Sequence, residues 1–190
     1  MTVLRAATLG VIVVLAACTS AGSEDATGSP TAGDSVSPTP SAIELPCDDA
    51  IDTDADLPVS FTVVADAVAL PTSHSADRAL QTSHREDSPA PNYFAKTGLA
   101  VGPDVAFTIQ VDAPAQTAQL GWGSPADFAP AMTTEGCTGD GWTVFAGGFL
   151  VDEPRCVEIT VRTDGAEETA QIGVGAPCEG QQPPPEPTDP

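Results

Sequence analysis

The sequence predicts an all-β fold, a single antiparallel β-sandwich with two disulfide bonds. Several short segments alternate apolar and polar residues with the period of a half-buried strand. The chain also carries 17 glycines and 19 prolines as turn signals, and no apolar pattern with helical period extends over any length. These features favour two packed sheets, and both an immunoglobulin-like and a jelly-roll-like topology remain open.

The amino terminus has the pattern of a secretory signal. An apolar run over residues 6–17 follows Arg5, is too short to cross a bilayer, and ends directly before Cys18. The stretch Leu15-Ala16-Ala17-Cys18 resembles the lipobox of bacterial lipoproteins. This resemblance implies that the chain is cut before Cys18 and that a diacylglycerol is attached to its thiol. An ordinary secretory signal with a chance cysteine is the alternative.

The expected organisation has four parts. Residues 1–17 are the signal peptide, and residues 18–42 are the lipid-bearing cysteine and a disordered linker of small and polar residues. Residues 43–180 are the β-sandwich domain, and residues 181–190 are a disordered proline-rich tail. The resemblance implies a cell-membrane protein that faces the extracytoplasmic side, and the linker is similar to those of exported lipoproteins from high-GC Gram-positive bacteria.

The charge balance excludes one class of partner. The chain has 27 acidic and 6 basic residues, and its formal net charge is −21. Binding to nucleic acids requires clustered lysine and arginine, whereas the basic residues here are scattered, so no nucleic-acid partner is expected. We expect a monomer whose acidic surface maintains solubility.

Four cysteines remain once Cys18 carries the lipid, and in an oxidising compartment they are expected to form two disulfides. We favour Cys137 with Cys156, which are close in sequence, and Cys47 with Cys178, which lie at the two ends of the domain. The other pairings remain open. A zinc site is less favoured because the chain has no Cys-x-x-Cys pair.

The first half of the domain predicts one long strand and one long loop. Residues 59–70 form an apolar segment that is expected to bend near Ala65 and Asp66, where the alternation changes phase. Residues 72–92 are polar and predict a loop, with one or two helical turns at residues 76–81 as the alternative. Loops of this length are often functional, so a binding surface is expected here first.

The second half predicts a series of short strands. A turn at Lys96-Thr97-Gly98 indicates a short hairpin or the start of a strand, and Gly147 with Gly148 is expected to end a later strand. The predicted strand segments cover residues 93–94, 99–101, 105–111, 118–122, 142–145, 156–162 and 172–174.

Three residues are candidates for ligand binding. Trp122 lies between two glycines that would allow it to be exposed, although a place in the core fits as well. His74 and His84 lie in the polar loop, and Ser73, His74 and Asp77 have the composition of a nucleophilic set. Because the chain has no Gly-x-Ser-x-Gly motif, no catalytic residue is predicted.

A calcium site is a weak candidate. Asp52, Asp54 and Asp56 alternate like the start of a calcium-binding loop, but Leu57 and Val63 occupy the positions that require glycine and glutamate. A looser calcium site is the alternative to a solvated acidic loop. No cofactor is predicted.

The sequence therefore predicts a lipid-anchored lipoprotein of the cell envelope that acts as a non-catalytic binding or interaction module for a protein or a glycan. A small cell-wall-modifying hydrolase is the alternative. A solute-capture lipoprotein is less favoured, because one small domain has no cleft between domains.

Overall fold

The computed structural model describes residues 41–86 and 88–186, and for residues 54 and 55 it describes the backbone alone. The signal sequence, Cys18 and all but the end of the linker lie outside these residues. The regular secondary structure of the described chain is β-strand apart from one 3₁₀ helix, Cys47–Asp49. The strands are β1 (Ala42–Glu44), β2 (Asp52–Ala55), β3 (Thr62–Val64), β4 (Val68–Leu70), β5 (Thr82–His84), β6 (Tyr93–Val101), β7 (Phe107–Val111), β8 (Ala118–Trp122), β9 (Ala131–Thr134), β10 (Trp142–Val151), β11 (Arg155–Arg162) and β12 (Glu167–Val174).

The strands form two sheets, which confirms the predicted β-sandwich class. The first sheet has the order β1-β9-β7-β11-β12. The second has the order β2-β10-β6-β4-β3, with β5 paired to the start of β6 and β8 paired to the end of β10. The named strand pairs are antiparallel except for β1 and β9, which are parallel.

The apolar core lies between the two sheets. Alternate residues of β7 and β11 point into it, and Ile109 and Ile159 are fully buried. This confirms the alternation predicted for both strands. From the second sheet, Phe145 and Phe149 of β10 contribute the largest buried rings together with Trp122. The rings of Trp122 and Phe149 meet edge to face, with centroids 5.4 Å apart.

Glycines lie inside the strands of the second sheet and do not end them. A Cβ atom on Gly147 would lie 2.1 Å from the carbonyl oxygen of Gly121, and one on Gly148 would lie 1.9 Å from that of Ala95. The prediction that a strand ends at Gly147 and Gly148 is therefore wrong, because these glycines permit close backbone contact. The predicted turn at residues 96–98 is also wrong, since these residues pair with β10 within β6.

The predicted long strand over residues 59–70 is a hairpin. Ala65 and Asp66 both have a φ of 53°, and the Ala67 amide donates to the Val64 carbonyl over 3.1 Å. Two consecutive left-handed residues are the pattern of a type I′ turn, which reverses the chain between antiparallel strands. The change of phase in the alternation thus marked a reversal of direction, not a bend.

Residues 72–92 connect β4 to β6 of the second sheet and form no helix at residues 76–81. The amides of Ser73 and Leu80 donate to the carbonyls of Gln171 and Gly173 in β12, each over 2.7 Å. The chain then enters β5 and pairs with β6. This segment therefore covers part of the edge of the first sheet before it joins the second.

The disulfides join Cys47 to Cys137 and Cys156 to Cys178. The favoured pairing of Cys137 with Cys156 and of Cys47 with Cys178 is therefore wrong. The reason is strand adjacency: β1, just before Cys47, lies beside β9, just before Cys137. Cys156 lies in β11 and Cys178 follows its neighbour β12.

The carboxyl-terminal segment is attached to the domain further than predicted. The side-chain amide of Gln181 donates to the Ala76 carbonyl over 2.9 Å, and the backbone amide of Gln182 donates to the Asp77 carbonyl over 2.9 Å. The Arg78 guanidinium donates to the Pro183 carbonyl over 3.2 Å. The prediction that disorder begins at residue 181 is thus wrong, because residues 181–183 are bonded to the domain. At the other end, β1 begins at Ala42, which the prediction assigned to the linker.

The two disulfides are expected to contribute unequally to stability. Replacing Cys47 and Cys137 together by alanine should lower the free energy of unfolding by about 4–5 kcal/mol, and replacing Cys156 and Cys178 by about 3–4 kcal/mol, because the longer closed loop restricts the unfolded chain more. Urea denaturation measures both values. Peptide mapping of the native protein that recovered a Cys137–Cys156 bridge would contradict the pairing.

The left-handed conformation of Asp66 in the turn between β3 and β4 is expected to lower stability. Asp66→Gly should raise the free energy of unfolding by about 0.5–1 kcal/mol, since glycine avoids the left-handed penalty but loses more chain entropy on folding. Asp56→Gly is the matched control, because Asp56 is also exposed and its φ is not positive. If urea denaturation finds Asp66→Gly no more stable than this control, the turn imposes no strain.

Candidate functional site

Trp122 belongs to the core and is not available for stacking on a ligand. It is 2% exposed, and its indole N–H donates to the Thr97 carbonyl over 3.1 Å. The adjacent Gly121 allows close packing, because a Cβ atom there would lie 2.2 Å from the Asp127 carbonyl oxygen. The interpretation of the flanking glycines as a sign of exposure is therefore wrong.

The two histidines lie at different places. His74 is exposed beside a shallow cleft whose other walls include Thr62 of β3 and Glu168 of β12. His84 is exposed at the end of β5, with its ring centroid 4.8 Å from that of Tyr93. Within residues 41–86 and 88–186, no hydrogen bond joins either histidine to a serine hydroxyl. No Ser-His pair is assembled in this part of the chain.

The acidic segment stays a weak calcium prediction. Asp52 is exposed, and its Oδ1 accepts a hydrogen bond from the Thr53 amide over 2.9 Å. Asp56 is exposed after β2, and the side chain of Asp54 lies outside the described part of the structure. Among the side chains that are described, no group of three or more metal-binding residues is close enough to hold an ion.

A different cluster forms on the outer face of the second sheet. The guanidinium carbon of Arg85 lies 4.5 Å from the ring centroid of Phe94 and 5.7 Å from that of Phe128. The two rings meet edge to face, with centroids 5.9 Å apart. Both distances from Arg85 lie within the range of cation–π attraction, so the rings hold the guanidinium in a defined place.

The strand register explains why these residues meet. Phe94 and Lys96 of β6 point outward on either side of Ala95, which is fully buried. β5 pairs with β6 so that Ser83 lies opposite Phe94. Arg85 is the first residue after β5, and its backbone amide donates to the Asn92 carbonyl over 2.9 Å. Arg85 is thereby placed beside the outward face of β6.

Phe128 reaches the cluster because the loop after β8 folds back over the sheet. Leu120 and Ala129 exchange two backbone hydrogen bonds of 2.9 and 3.0 Å. A Cβ atom on Gly121 would lie 3.0 Å from the Phe128 ring. Because Gly121 has no side chain, the loop can pack closely against β8 at this position.

An open groove runs beside these rings. Its volume is 440 Å³, and three polar residues of the β5 segment, Gln81, Thr82 and Ser83, line it together with Phe94 and Lys96. We call the whole area the Arg85 surface. It consists of Gln81, Thr82, Ser83, Arg85, Phe94, Lys96 and Phe128, whereas His84 and Tyr93 lie on the opposite face of β5 and β6.

The electrostatics of the Arg85 surface differ from those of Arg155 and Arg162, whereas Arg78 also has no ion pair within the described residues and donates to the Pro183 carbonyl. Arg155 pairs with Asp152 and Glu153, and Arg162 pairs with Glu167. Over the described ranges, Arg85 and Lys96 form no ion pair, and the Arg85 side chain makes no hydrogen bond. In a chain with a net charge of −21, two cations on one face that have no acidic partner among the described residues can accept an external anion.

Another polar groove, of 370 Å³, lies on the first sheet. Thr108, Thr133 and Arg162 contribute to its lining. The Arg162 guanidinium there is already paired with Glu167. This groove therefore offers a ligand fewer uncommitted charges than the Arg85 surface does.

Sequence reasoning found part of this site. The predicted long polar loop contains Gln81, Ser83 and Arg85, but Arg85, Phe94, Lys96 and Phe128 are not among the predicted site residues, and the candidate His84 lies on the opposite face of β5. Phe94 and Lys96 alternate with buried Ala95, and that period was the available signal for a shared outward face. Phe128 carried no such signal, because its position depends on a loop that folds back over a glycine.

Comparisons with known proteins add no relative. No protein-family model matches the sequence, and a search of curated proteins gives no significant match. Within the described residues, no helix has the length and apolar character needed to span a membrane.

Proposed function

We propose that this protein is a lipid-anchored binding module of the cell envelope, held at the extracytoplasmic side of the membrane through Cys18. The observation that carries the binding role is the Arg85 surface, where a guanidinium is held by two aromatic rings without an acidic partner among the described residues. Binding, not catalysis, is the role of the domain in this proposal.

Two independent features support the location. The two disulfides belong to an oxidising compartment outside the cytoplasm. The Leu-Ala-Ala-Cys stretch at the amino terminus resembles a lipobox, and two acyl chains on its cysteine would be sufficient for stable anchoring. The linker before β1 would then hold the domain away from the membrane surface.

The chemistry of the Arg85 surface supports binding. A planar guanidinium offers five N–H donors, and an ammonium and hydroxyl groups lie on the same face. Catalysis of hydrolysis requires a nucleophile or a water molecule beside a positioned base. In the residues that the structure describes, neither histidine has such a partner, and no observation favours the hydrolase alternative.

The anchor is tested by replacing its thiol. Cys18→Ala should move the protein from the membrane fraction to the soluble fraction or the medium, because the diacylglycerol has no other attachment point in this proposal. Fractionation followed by immunoblotting measures the distribution, and Ser20→Ala is the matched control. Retention of Cys18→Ala at the membrane would show that the anchor lies elsewhere.

The binding role is tested with envelope material. The full mature chain carrying Cys18→Ala, immobilised on beads, should retain envelope components, and adding Arg85→Ala should remove most of this retention. Arg162→Ala is the matched control, since it removes the same charge from the other sheet and should retain as much as the parent. Equal retention by both arginine variants would exclude the Arg85 surface as the binding site.

A further inference from the structure

We infer that the ligand of the Arg85 surface is an anionic glycan, a saccharide chain that bears carboxylate or phosphate groups. This inference rests on the proposed binding function and adds the chemical class of the ligand. Three features of the surface carry it: a guanidinium placed over aromatic rings, an open groove beside it that Gln81 and Ser83 line together with the Phe94 ring, and a second cation on the same strand face.

The guanidinium supplies the anion contact. The guanidinium carbon of Arg85 lies 4.5 Å from the Phe94 ring centroid, and its N–H groups make no hydrogen bond to the described residues. A guanidinium edge matches the two oxygens of a carboxylate or a phosphate. Because the rings already restrict the side chain, less conformational entropy is lost when an anion binds.

The net charge of −21 does not prevent this contact. At physiological ionic strength charges are screened over about 8 Å, so the charges nearest to the ligand determine the interaction. The nearest cations are Arg85 and Lys96, and the acidic residues next to this surface in sequence, Glu86 and Asp127, form no ion pair with them within the described chain.

The groove beside the guanidinium favours a saccharide over a polypeptide. Gln81 and Ser83 line it beside Phe94, and their amide and hydroxyl groups are suited to the hydroxyls of a sugar, whereas the Thr82 side chain lies near Gly175. Stable protein interfaces bury about 800 Å² per partner around an apolar centre. The large apolar side chains that are exposed in the described chain, Ile51, Val59 and Val63, are not part of the Arg85 surface.

The edge of β5 offers little to an extended peptide. β5 is three residues long, Thr82–His84, and one of its edges is already paired with β6. A peptide added to its other edge would gain few backbone hydrogen bonds. The main alternative ligand, an acidic polypeptide, therefore has a weaker basis here.

Lys96 provides a second contact for a repeating polymer. It lies two residues after Phe94 on β6, so the Cα atoms of Phe94 and Lys96 are about 7 Å apart along the strand. A chain with an anion on each sugar would place one anion at Arg85 and another towards Lys96. Lys96 is exposed and is not held by a ring, so its contribution is expected to be smaller.

The experiment measures binding of defined polymers to the full mature chain with Cys18→Ala. The carboxylate arm compares polygalacturonate with its methyl ester, and the phosphate arm compares phosphomannan with dephosphorylated mannan. Polyglutamate is the polypeptide arm. At least one anionic glycan should bind about tenfold or more tightly than its neutral counterpart, in keeping with a charge-assisted contact.

The variants assign the contact to the Arg85 surface. Arg85→Ala should lower the affinity about tenfold or more, and Arg85→Lys should recover only part of it, because lysine keeps the charge and loses the planar donor edge. Phe94→Leu, which keeps the arginine but removes the stacked ring, should also weaken binding. Arg162→Ala should bind as the parent does, and thermal melting verifies that each variant is folded.

Three outcomes would overturn the inference. If polyglutamate binds as tightly as the best glycan, the ligand is an acidic polypeptide. If charged and neutral glycans bind equally tightly, no anion contact contributes to binding. Binding of no glycan, while Arg85 still determines retention of envelope components, would leave the binding function in place and exclude this ligand class.

Discussion

Close backbone contact between β6, β8 and β10 is the constraint on which the rest of the second sheet depends. Gly147 and Gly148 in the middle of β10 have no room for side chains against Gly121 and Ala95. Substituting either glycine would require the neighbouring strands to move apart. The same close packing buries Trp122 over the core and leaves the outward face of β6 beside the loop that carries Phe128.

The disulfides act at the two ends of the domain. Cys47 follows β1, where the chain arrives from the linker, and Cys178 precedes the segment that packs against residues 76–79. Terminal segments of small domains separate most readily, because few contacts hold them. One disulfide lies beside β1 and β9 and the other beside β11 and β12, so the covalent links are at the two edges of the first sheet. Such a placement also suits a domain that, in the proposed arrangement, is pulled from its amino terminus by a membrane anchor.

The distribution of charge gives the Arg85 surface its significance. Acidic residues are abundant over the whole chain, so each acidic cluster has little diagnostic value. The basic residues are few, and Arg155 and Arg162 are occupied by carboxylates. A cation that is stacked on aromatic rings and lacks such a partner in the described residues is therefore the more informative feature. In the proposed function, this local feature, and not the overall acidity, determines which ligand is bound.

The sequence by itself determined the fold class and the alternating strands β7, β8 and β11, because inward and outward positions repeat every two residues and are local. It also determined that four cysteines pair in an oxidising compartment. Only the tertiary structure decided which cysteines pair, that residues 59–70 reverse direction, and that Trp122 is buried. Those features depend on which strands lie side by side. The Arg85 surface likewise joins β5 and β6 to Phe128, which is distant from both in sequence. Neighbours of this kind follow from the packing of the whole chain, which no local pattern encodes.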